Sequence, residues 1–427
     1  MNRTQEEAAP RKDYLSAQEA VALLGIRMQT LYAYVSKGWI RSVKQADTRK
    51  RLYLHEDILR VKARSTARSG HGVVAASAMN WGEPIIPTSI TEIRPDGPYY
   101  RGHSAVRLAR AHASYEAVSE LLWTGVWDDT PRSWETGMTP AQRAMLLDSL
   151  APPKSNSGLL EIMAIVTLRL GMSRGSVEDR VRGGHMHEAA RQLIKTLAGC
   201  FGLVSRKRRF HPIPDEASMA EGLLTALDIP ATPANLEAME AFLVLFADHE
   251  LSPSTFAARV AASGGSSLHS CVASAICSSA GIHLGRMYDR IEDFLGSADT
   301  SAGLLQRARE HHSRGSSIPG FGHPLYPKGD ERAAMLIELA RKRPRQKAAL
   351  ERIYPFIESV EREFGLHPRH ELGAIVLAIA MGVPRQSVGT LFTLARMAGW
   401  VAHVQEQRLS GMLLRPRAKF VGSASEP

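Results

Sequence analysis

Three histidines stand where a purely structural helix bundle has no need of one. Asp248-His249-Glu250 closes a strongly apolar helix, AFLVLFADHEL. His323 ends the run Gly320-Phe321-Gly322-His323, whose glycines permit a tight turn and close backbone approach to a ligand. His283 follows Gly281-Ile282, just after a small-residue helix around Ser270–Ala280. Taken singly, each would pass as a satisfied core or surface histidine. Taken with Arg332, Arg396 and Arg415 they make a different pattern. Guanidinium groups bind carboxylates bidentately, so several arginines with several histidines suit a small polycarboxylate.

The elements that must position these groups are mostly helices. From Trp81 onward, apolar residues recur with helical period over Ser104–Thr124, Thr139–Leu150, Leu159–Leu170, His187–Ala198 and Asn235–Ala247. The same period returns over Ser254–Ala262, Asp330–Arg341, Ala348–Phe364, Leu372–Met381 and Val388–Arg408. Strand-like pieces are confined to Pro87–Arg94 and Pro98–Arg101. The expected fold class is therefore all-α, a many-helixed body at 81–427 with a smaller subdomain at roughly 270–380. Ala63–Ser77, small, polar and Gly-containing, reads as a linker, which assigns 66–80 to the connection and 1–65 to a separate module.

Charge is distributed in keeping with that division. Residues 1–80 carry 14 Lys/Arg against 7 Asp/Glu, or +7 of the formal +10 of the 427-residue chain. A basic module on a nearly neutral body points to a polyanion partner for the module alone. Hydrophobic residues at 44% and charged residues at 22% exclude overall disorder. Cys200, Cys271 and Cys277 form no C-x-x-C and no even-numbered framework, as expected of plain thiols in a reducing compartment. The start, MNRTQEEAAPRKDY, has no apolar signal region, and the longest apolar run, Leu372–Val383, is too short to span a bilayer. A cytoplasmic protein with no membrane contact is expected. The basic runs Arg206–Arg209 and Arg341–Lys347 read as solvated loops.

Within the module, Ser16-Ala17-Gln18-Glu19 has capping-box form, so a helix should start at about Ala17 and break at Gly25. A second helix is expected from about Met28 to Ser36, stopped by Lys37-Gly38. Trp39–Val43 and Leu52–Leu54 suit a two-stranded wing with Arg49, Lys50 and Arg51 at its tip, and Glu56-Asp57-Ile58 would open a third helix. This layout, over about fifty residues, resembles the winged helix-turn-helix of the MerR and excisionase families. The resemblance implies DNA as a partner, with Arg27, Gln29, Thr30 and Tyr32 on a groove-reading helix and the wing on phosphates. The alternative is that the module only packs against the body or mediates dimerisation.

The body carries more specific motifs. FADHELSPSTFAARVAASGGSSLHS, PGFGHPLYPKGDERA, LFTLARMAGWVAH and RPRAKFVG together resemble the citrate synthase family from about Trp81 to Gly422. WGEPIIPTSITEIRPDGPYYRG fits the family's N-terminal strands. The resemblance implies a condensation of an acyl-CoA with oxaloacetate through an enol or enolate, followed by thioester hydrolysis. It implies His283 at the thioester oxygen, His323 polarising the ketone, His249 on oxaloacetate, and Arg332 and Arg396 on its carboxylates. Arg415 would be supplied across a homodimer interface. Acyl-CoA enters as substrate, and no cofactor or metal is implied.

The chain departs from the family pattern at the other end of the reaction. The family's base is an aspartate in N-V-D. Here the stretch is Pro368-Arg369-His370-Glu371, and Gly382-Val383-Pro384 fixes the register that puts Glu371 at the base position. One added methylene displaces the carboxylate by about an ångström, a misplacement that can cost on the order of 10²-fold in rate. The family's P-L-H-G-G-A becomes Gly281-Ile282-His283-Leu284-Gly285-Arg286, and Glu331 replaces the proline of D-P-R. Three readings follow. One is a working acyltransferase with Glu371 as base. Another is a weakly active carboxylate sensor that controls DNA binding. The third is a subunit that pairs with a related synthase.

Overall fold

The computed structural model describes residues 14–36, 40, 42–44, 51–55, 57–58, 61, 86–130, 133–135, 144, 150–174, 185–343 and 347–416. They fall into two compact units, one made of the described residues up to Pro87 together with Pro416 and the other spanning Thr88–Arg415.

In the first unit, the Ala17–Leu24 helix begins with a complete capping box. Ser16 Oγ accepts from Glu19 N at 3.3 Å, while Glu19 Oε2 accepts from Ser16 N at 2.8 Å. Gly25 ends it at φ 65°, a left-handed conformation that glycine adopts without strain. A second helix, Met28–Ser36, follows. Strand Arg51–Leu54 pairs antiparallel with Ser42–Lys44 on one side and with Tyr14–Ser16 on the other. The sheet thus has three strands, not two. The third was unforeseen because three residues carry no period, yet Leu15 from it joins Ala20, Leu31, Tyr53 and Ile58 in a small core. The expected wing tip at Arg49 and Lys50 lies outside the described residues, and Arg51 is an exposed strand residue.

In the second unit a three-stranded antiparallel sheet, Thr91–Arg94, Gly97–Tyr100 and His103–Ser104, precedes the helices. The expected helix Ser104–Thr124 is two helices, Ala105–Arg110 and Tyr115–Thr124. Apolar periodicity runs across the gap, but Ser114 caps the second helix through Ala117 N and His112 sits left-handed at φ 57°. The helix expected at Thr139–Leu150 falls mainly outside the described residues. Leu159–Arg174, His185–Gly199, Pro233–Leu245, Pro253–Ser263, Glu331–Arg341, Lys347–Phe364, His370–Met381 and Val388–Ser410 are helices close to their expected bounds. Helices Met219–Ala226, Gly285–Leu295 and Ser301–Ser313 were not anticipated, being short or rich in polar residues.

The Val388–Ser410 helix runs through the core, with Leu394, Trp400, Val401 and Val404 buried against its neighbours. Gly399 lets the turn after Pro233–Leu245 dock directly on it: Gly399 N donates to Ala247 O at 2.9 Å. A Cβ there would meet Ala247 O and the Asp248 carboxylate. Basic residues of the two surface runs make surface pairs, Lys207 with Asp228 and Arg341 with Glu358. Cys200 and Cys271 are buried, Cys277 is exposed, and all three are free thiols. Among the described residues, no helix is long and apolar enough to cross a membrane.

Candidate active site

The site is assembled from two turns and the helices that end or begin at them. In the first turn, Asp248 is held through its backbone and one carboxylate oxygen. Its backbone N–H and carbonyl meet the Tyr100 hydroxyl, and its Oδ2 lies 3.2 Å from His403 Nε2. His403 Nδ1 in turn accepts from Arg259 Nη1 at 3.1 Å, and Arg259 pairs with Glu406 at 2.7 Å. This chain, buried through Asp248, His403 and Arg259 and ending at half-buried Glu406, fixes the backbone that presents His249. His249 Nε2 lies 2.9 Å from the Tyr326 hydroxyl.

The second turn carries His323. Gly320 and Gly322 adopt φ 86° and 70°, and the turn is tied to the chain before helix His370–Met381 by Gly322 N→His367 O and Arg369 N→Gly320 O. His323 Nδ1 accepts from Leu325 N at 3.1 Å. That hydrogen bond leaves Nε2 as the protonated nitrogen of a neutral ring. Burial, reinforced by nearby His370, pushes the His323 pKa down to about 4, so the ring stays a neutral N–H donor at pH 7.

Asp330 and Arg332 form the deepest pair. Arg332 Nε and Nη2 meet the two Asp330 oxygens at 3.0 and 2.8 Å, with both side chains fully buried. Burial works to raise the Asp330 pKa, and the charge of Arg332 overrides it to hold the carboxyl well below its usual range. Arg332 Nη2 also lies 3.1 Å from His370 Nδ1, which stands 3.3 Å from Asp330 Oδ2. A neutral His370 either accepts from the arginine or donates to the carboxylate, one at a time. Arg332 Nη1 is buried with no hydrogen-bond partner among the described residues. Arg396 is buried, uses Nε on Phe246 O at 2.9 Å, and rests 4.7 Å from the Phe392 ring centroid.

These groups converge. Ring centroids of His249 and His323 are 6.2 Å apart, His323 and His370 5.6 Å, and His249 and His370 6.4 Å. Burial depresses the pKa values of His249 and His370 too, with Arg332 adding to the effect on each. Three neutral imidazoles thus line a space where Arg332 and Arg396 supply fixed positive charge. Arg396 makes no ion pair within contact range among the described residues, and the opposing charge that acts on it most is that of buried Asp248. The arrangement can hold a small dianion and polarise a carbonyl oxygen on it.

Glu371 begins helix His370–Met381 and is buried, gripped by Arg369 through Nη2 at 2.7 Å and Nε at 3.1 Å. Burial favours its neutral form. Once His370 is protonated at low pH, its charge and that of Arg369 outweigh burial and bring the carboxyl down to about 2. The remaining expected residues lie apart. His283 is exposed in the turn ahead of helix Gly285–Leu295 and makes no ring contact with the three histidines. Arg415 is exposed near the end of the described chain. The third imidazole of the cluster is therefore His370, not His283.

Sequence reasoning missed His370, Arg369, Asp330 and Tyr326, along with Tyr288, whose buried hydroxyl has no hydrogen-bond partner among the described residues and lies in the field of Glu371 and the arginines. The signal was present for some of them: Arg369 and His370 immediately precede the base position, and Asp330 and Tyr326 lie inside the glycine-turn motif. Among the described residues, no group of His, Cys, Asp or Glu could hold a metal ion.

Comparison with known proteins finds relatives over most of the chain. The family model described as citrate synthase, C-terminal domain, matches residues 79–417. A 2-methylcitrate synthase of Shewanella oneidensis is 33% identical over 373 residues, 83% of this chain and 95% of the relative. A citrate/2-methylcitrate synthase of Bacillus subtilis is 26% identical over 335 residues, 75% of this chain and 89% of the relative. Citrate synthase from Thermotoga maritima has the same fold, with a TM-score of 0.68 at 22% identity over 82% of this chain and 97% of its own. So does the Thermoplasma acidophilum enzyme in its ternary complex with carboxymethyl coenzyme A and oxaloacetate, with a TM-score of 0.67 at 21% identity over 81% of this chain and 96% of its own. The chain belongs to the citrate synthase family.

Proposed function

We propose that the protein condenses a short acyl-CoA, acetyl-CoA or a homologue, with oxaloacetate and then hydrolyses the resulting thioester. The observation that carries this reading is the neutral His323, an Nε2–H donor fixed by Leu325 N and set beside two buried arginines with guanidinium N–H groups to spare. Oxaloacetate binds through its carboxylates to Arg396 and the open arm of Arg332, and its ketone oxygen receives the His323 and His249 donors. Glu371 takes the α-proton of the acyl-CoA while His283 hydrogen-bonds the thioester oxygen. The enol or enolate carbon attacks the ketone. Water then cleaves the thioester and releases CoA.

The reading gives Arg415 a place on the site of a second copy, in a homodimer. Ile165, Leu168 and Met172, exposed along one helix, supply an apolar face suited to that pairing. The test is free-CoA release with oxaloacetate and a panel of acyl-CoAs, wild type against Glu371→Ala. Turnover lost in the variant supports the reading and identifies the acyl group. No release with any acyl-CoA overturns it and leaves carboxylate sensing or service as a partner subunit.

For the N-terminal unit we propose nucleic-acid binding, on one observation: helix Met28–Ser36 and the residue before it leave Arg27, Gln29 and Tyr32 exposed, with Thr30 half-buried beside them. Binding to duplex DNA that weakens steeply with salt, and that citrate alters, would support a carboxylate-responsive regulator. DNA binding absent at low salt would remove that reading.

A further inference from the structure

The base position holds more than an exchanged carboxylate. Arg369, at the position where the family pattern has asparagine, turns its guanidinium back on the residue two places later and occupies both oxygens of Glu371 at 2.7 and 3.1 Å. The clamp is built in. Arg369 N is anchored to Gly320 O at 2.8 Å, Phe321 bridges to Pro368, and Glu371 is buried at the start of its helix. A bidentate guanidinium–carboxylate pair is strong, directional and hard to exchange for water in a buried site.

Other charged or titratable groups reach Glu371 from each packed element. His370 is on its own helix, 3.5 Å away at Nδ1. His323 on the glycine turn and Tyr288 on the Gly285–Leu295 helix both feel its charge. Arg396 and Arg332 also act on Tyr288 through their charge. Among the described residues, only Arg369 takes both oxygens.

Resting on the reading of Glu371 as the base, we propose that Arg369 is a positioning residue that latches Glu371, restraining its carboxylate and weakening it as a base toward the α-proton of the acyl-CoA. A carboxylate whose lone pairs are committed to a guanidinium is a poorer proton acceptor, and general-base rates follow acceptor basicity. Burial works against this by raising the carboxyl's pKa, and the neighbouring charges, that of His370 once protonated and that of Arg369, outweigh it and bring the carboxyl down to about 2. Proton transfer therefore needs Arg369 to swing off at least one oxygen. The step balances simply: the α C–H bond breaks, the proton passes to Glu371, and the electron pair remains on the enolate.

The test uses the full-length protein with Arg369→Asn, and Arg369→Lys to keep the charge while losing the fork. The first readout is the Glu371 carboxylate titration, followed by the infrared band of ¹³C-labelled glutamate and assigned by subtraction of Glu371→Gln. The second is exchange of acetyl-CoA methyl protons into deuterated water, with malate in place of oxaloacetate so that no carbon–carbon bond forms. Arg369→Asn should move the titration upward by at least one pH unit and speed exchange at pH 7 about tenfold, with Arg369→Lys between. A titration left where it is in wild type, or exchange equal or slower after the titration has moved, overturns the latch. A moved titration with no exchange in any of the proteins also overturns it, by removing Glu371 as the base. Malate binding by calorimetry then tells whether the carboxylate site itself survives.

Discussion

The two ends of the proposed reaction are built to different standards. At the oxaloacetate end, Arg332, His370 and Asp330 are buried and mutually bonded, and His249 is backed by the Asp248–His403–Arg259 chain. At the thioester end, His283 stands exposed on a turn with Ile282 57% exposed beside it, and the nearby ion pair, Arg286 with Glu161, is half-exposed. The difference teaches where recognition has been fixed in advance. A dianion must be desolvated on arrival, and only donors already held in place recover that cost. A thioester oxygen is neutral, so its donor can be brought up when the substrate binds.

The comparison breaks most readily through its buried charges. Asp330→Ala leaves Arg332 charged, fully buried and without its carboxylate, which should cost about 3–5 kcal/mol of stability. Glu161→Ala, removing a surface partner at 2.6 Å from Arg286, should cost within about 1 kcal/mol. Urea unfolding of both variants checks the contrast, and equal losses would mean that the two ends are equally structured. Arg396→Ala comes next. Two charge-assisted hydrogen bonds of about 1.5–3 kcal/mol each predict a loss of oxaloacetate affinity of roughly 100-fold or more, read by calorimetry. An unchanged affinity would remove Arg396 from the carboxylate site.

A pH experiment sharpens the same contrast. His323 has its folded pKa depressed to about 4, whereas an unfolded histidine charges near 6.5. The unfolded chain therefore binds the extra proton between those values, and the stability from neutral His323 is full above 6.5 and lost as pH falls toward 4. Glu240, raised to about 8 by burial with Glu116 adding to it, gains stability over part of the same window as pH falls. The useful quantity is therefore a difference, in which Glu240 cancels. The stability advantage of wild type over His323→Gln should shrink from pH 7 to pH 5, measured by urea unfolding. A difference that stays constant would show that His323 titrates as it does in the unfolded chain.

What the sequence made legible follows the range of the forces involved. Helices with a continuous apolar face, such as Val388–Ser410, were readable because periodicity is local. The break at His112 was not, since it turns on a serine cap inside an uninterrupted apolar pattern. Strand Tyr14–Ser16 is too short to have a period at all. In the site, His249, His323, Arg332 and Arg396 stood out by type and motif. The role of His370 did not, because it depends on Arg332, thirty-eight positions earlier, arriving at 3.1 Å through tertiary packing. Arg369 was visible as a letter, but its grip on Glu371 comes from a turn anchored to Gly320. His283 shows the reverse limit: a motif position names a role, and it does not say whether the loop has already brought the side chain to its work.

That limit sets the smallest expected effect. In the free protein, His283 makes no hydrogen bond or ion pair among the described residues, so His283→Ala removes no interaction from the resting fold. Stability should stay within about 0.5 kcal/mol of wild type. Oxaloacetate affinity should change less than twofold, because the histidines and arginines that meet the dianion belong to other elements. If His283 acts only once acyl-CoA has arrived, the loss should appear in kcat, with oxaloacetate binding by calorimetry untouched. Leu284→Gly probes the same turn from the backbone side. Gly389 already lets the Val388–Ser410 helix approach the Gly285 carbonyl so closely that a Cβ would collide with it, which leaves the turn little room to move on that face. Freeing the neighbouring residue should lower the KM for acyl-CoA modestly and leave oxaloacetate affinity alone. If either substitution weakened oxaloacetate binding as Arg396→Ala does, the thioester turn would be part of the preformed site and the contrast between the two ends would fail.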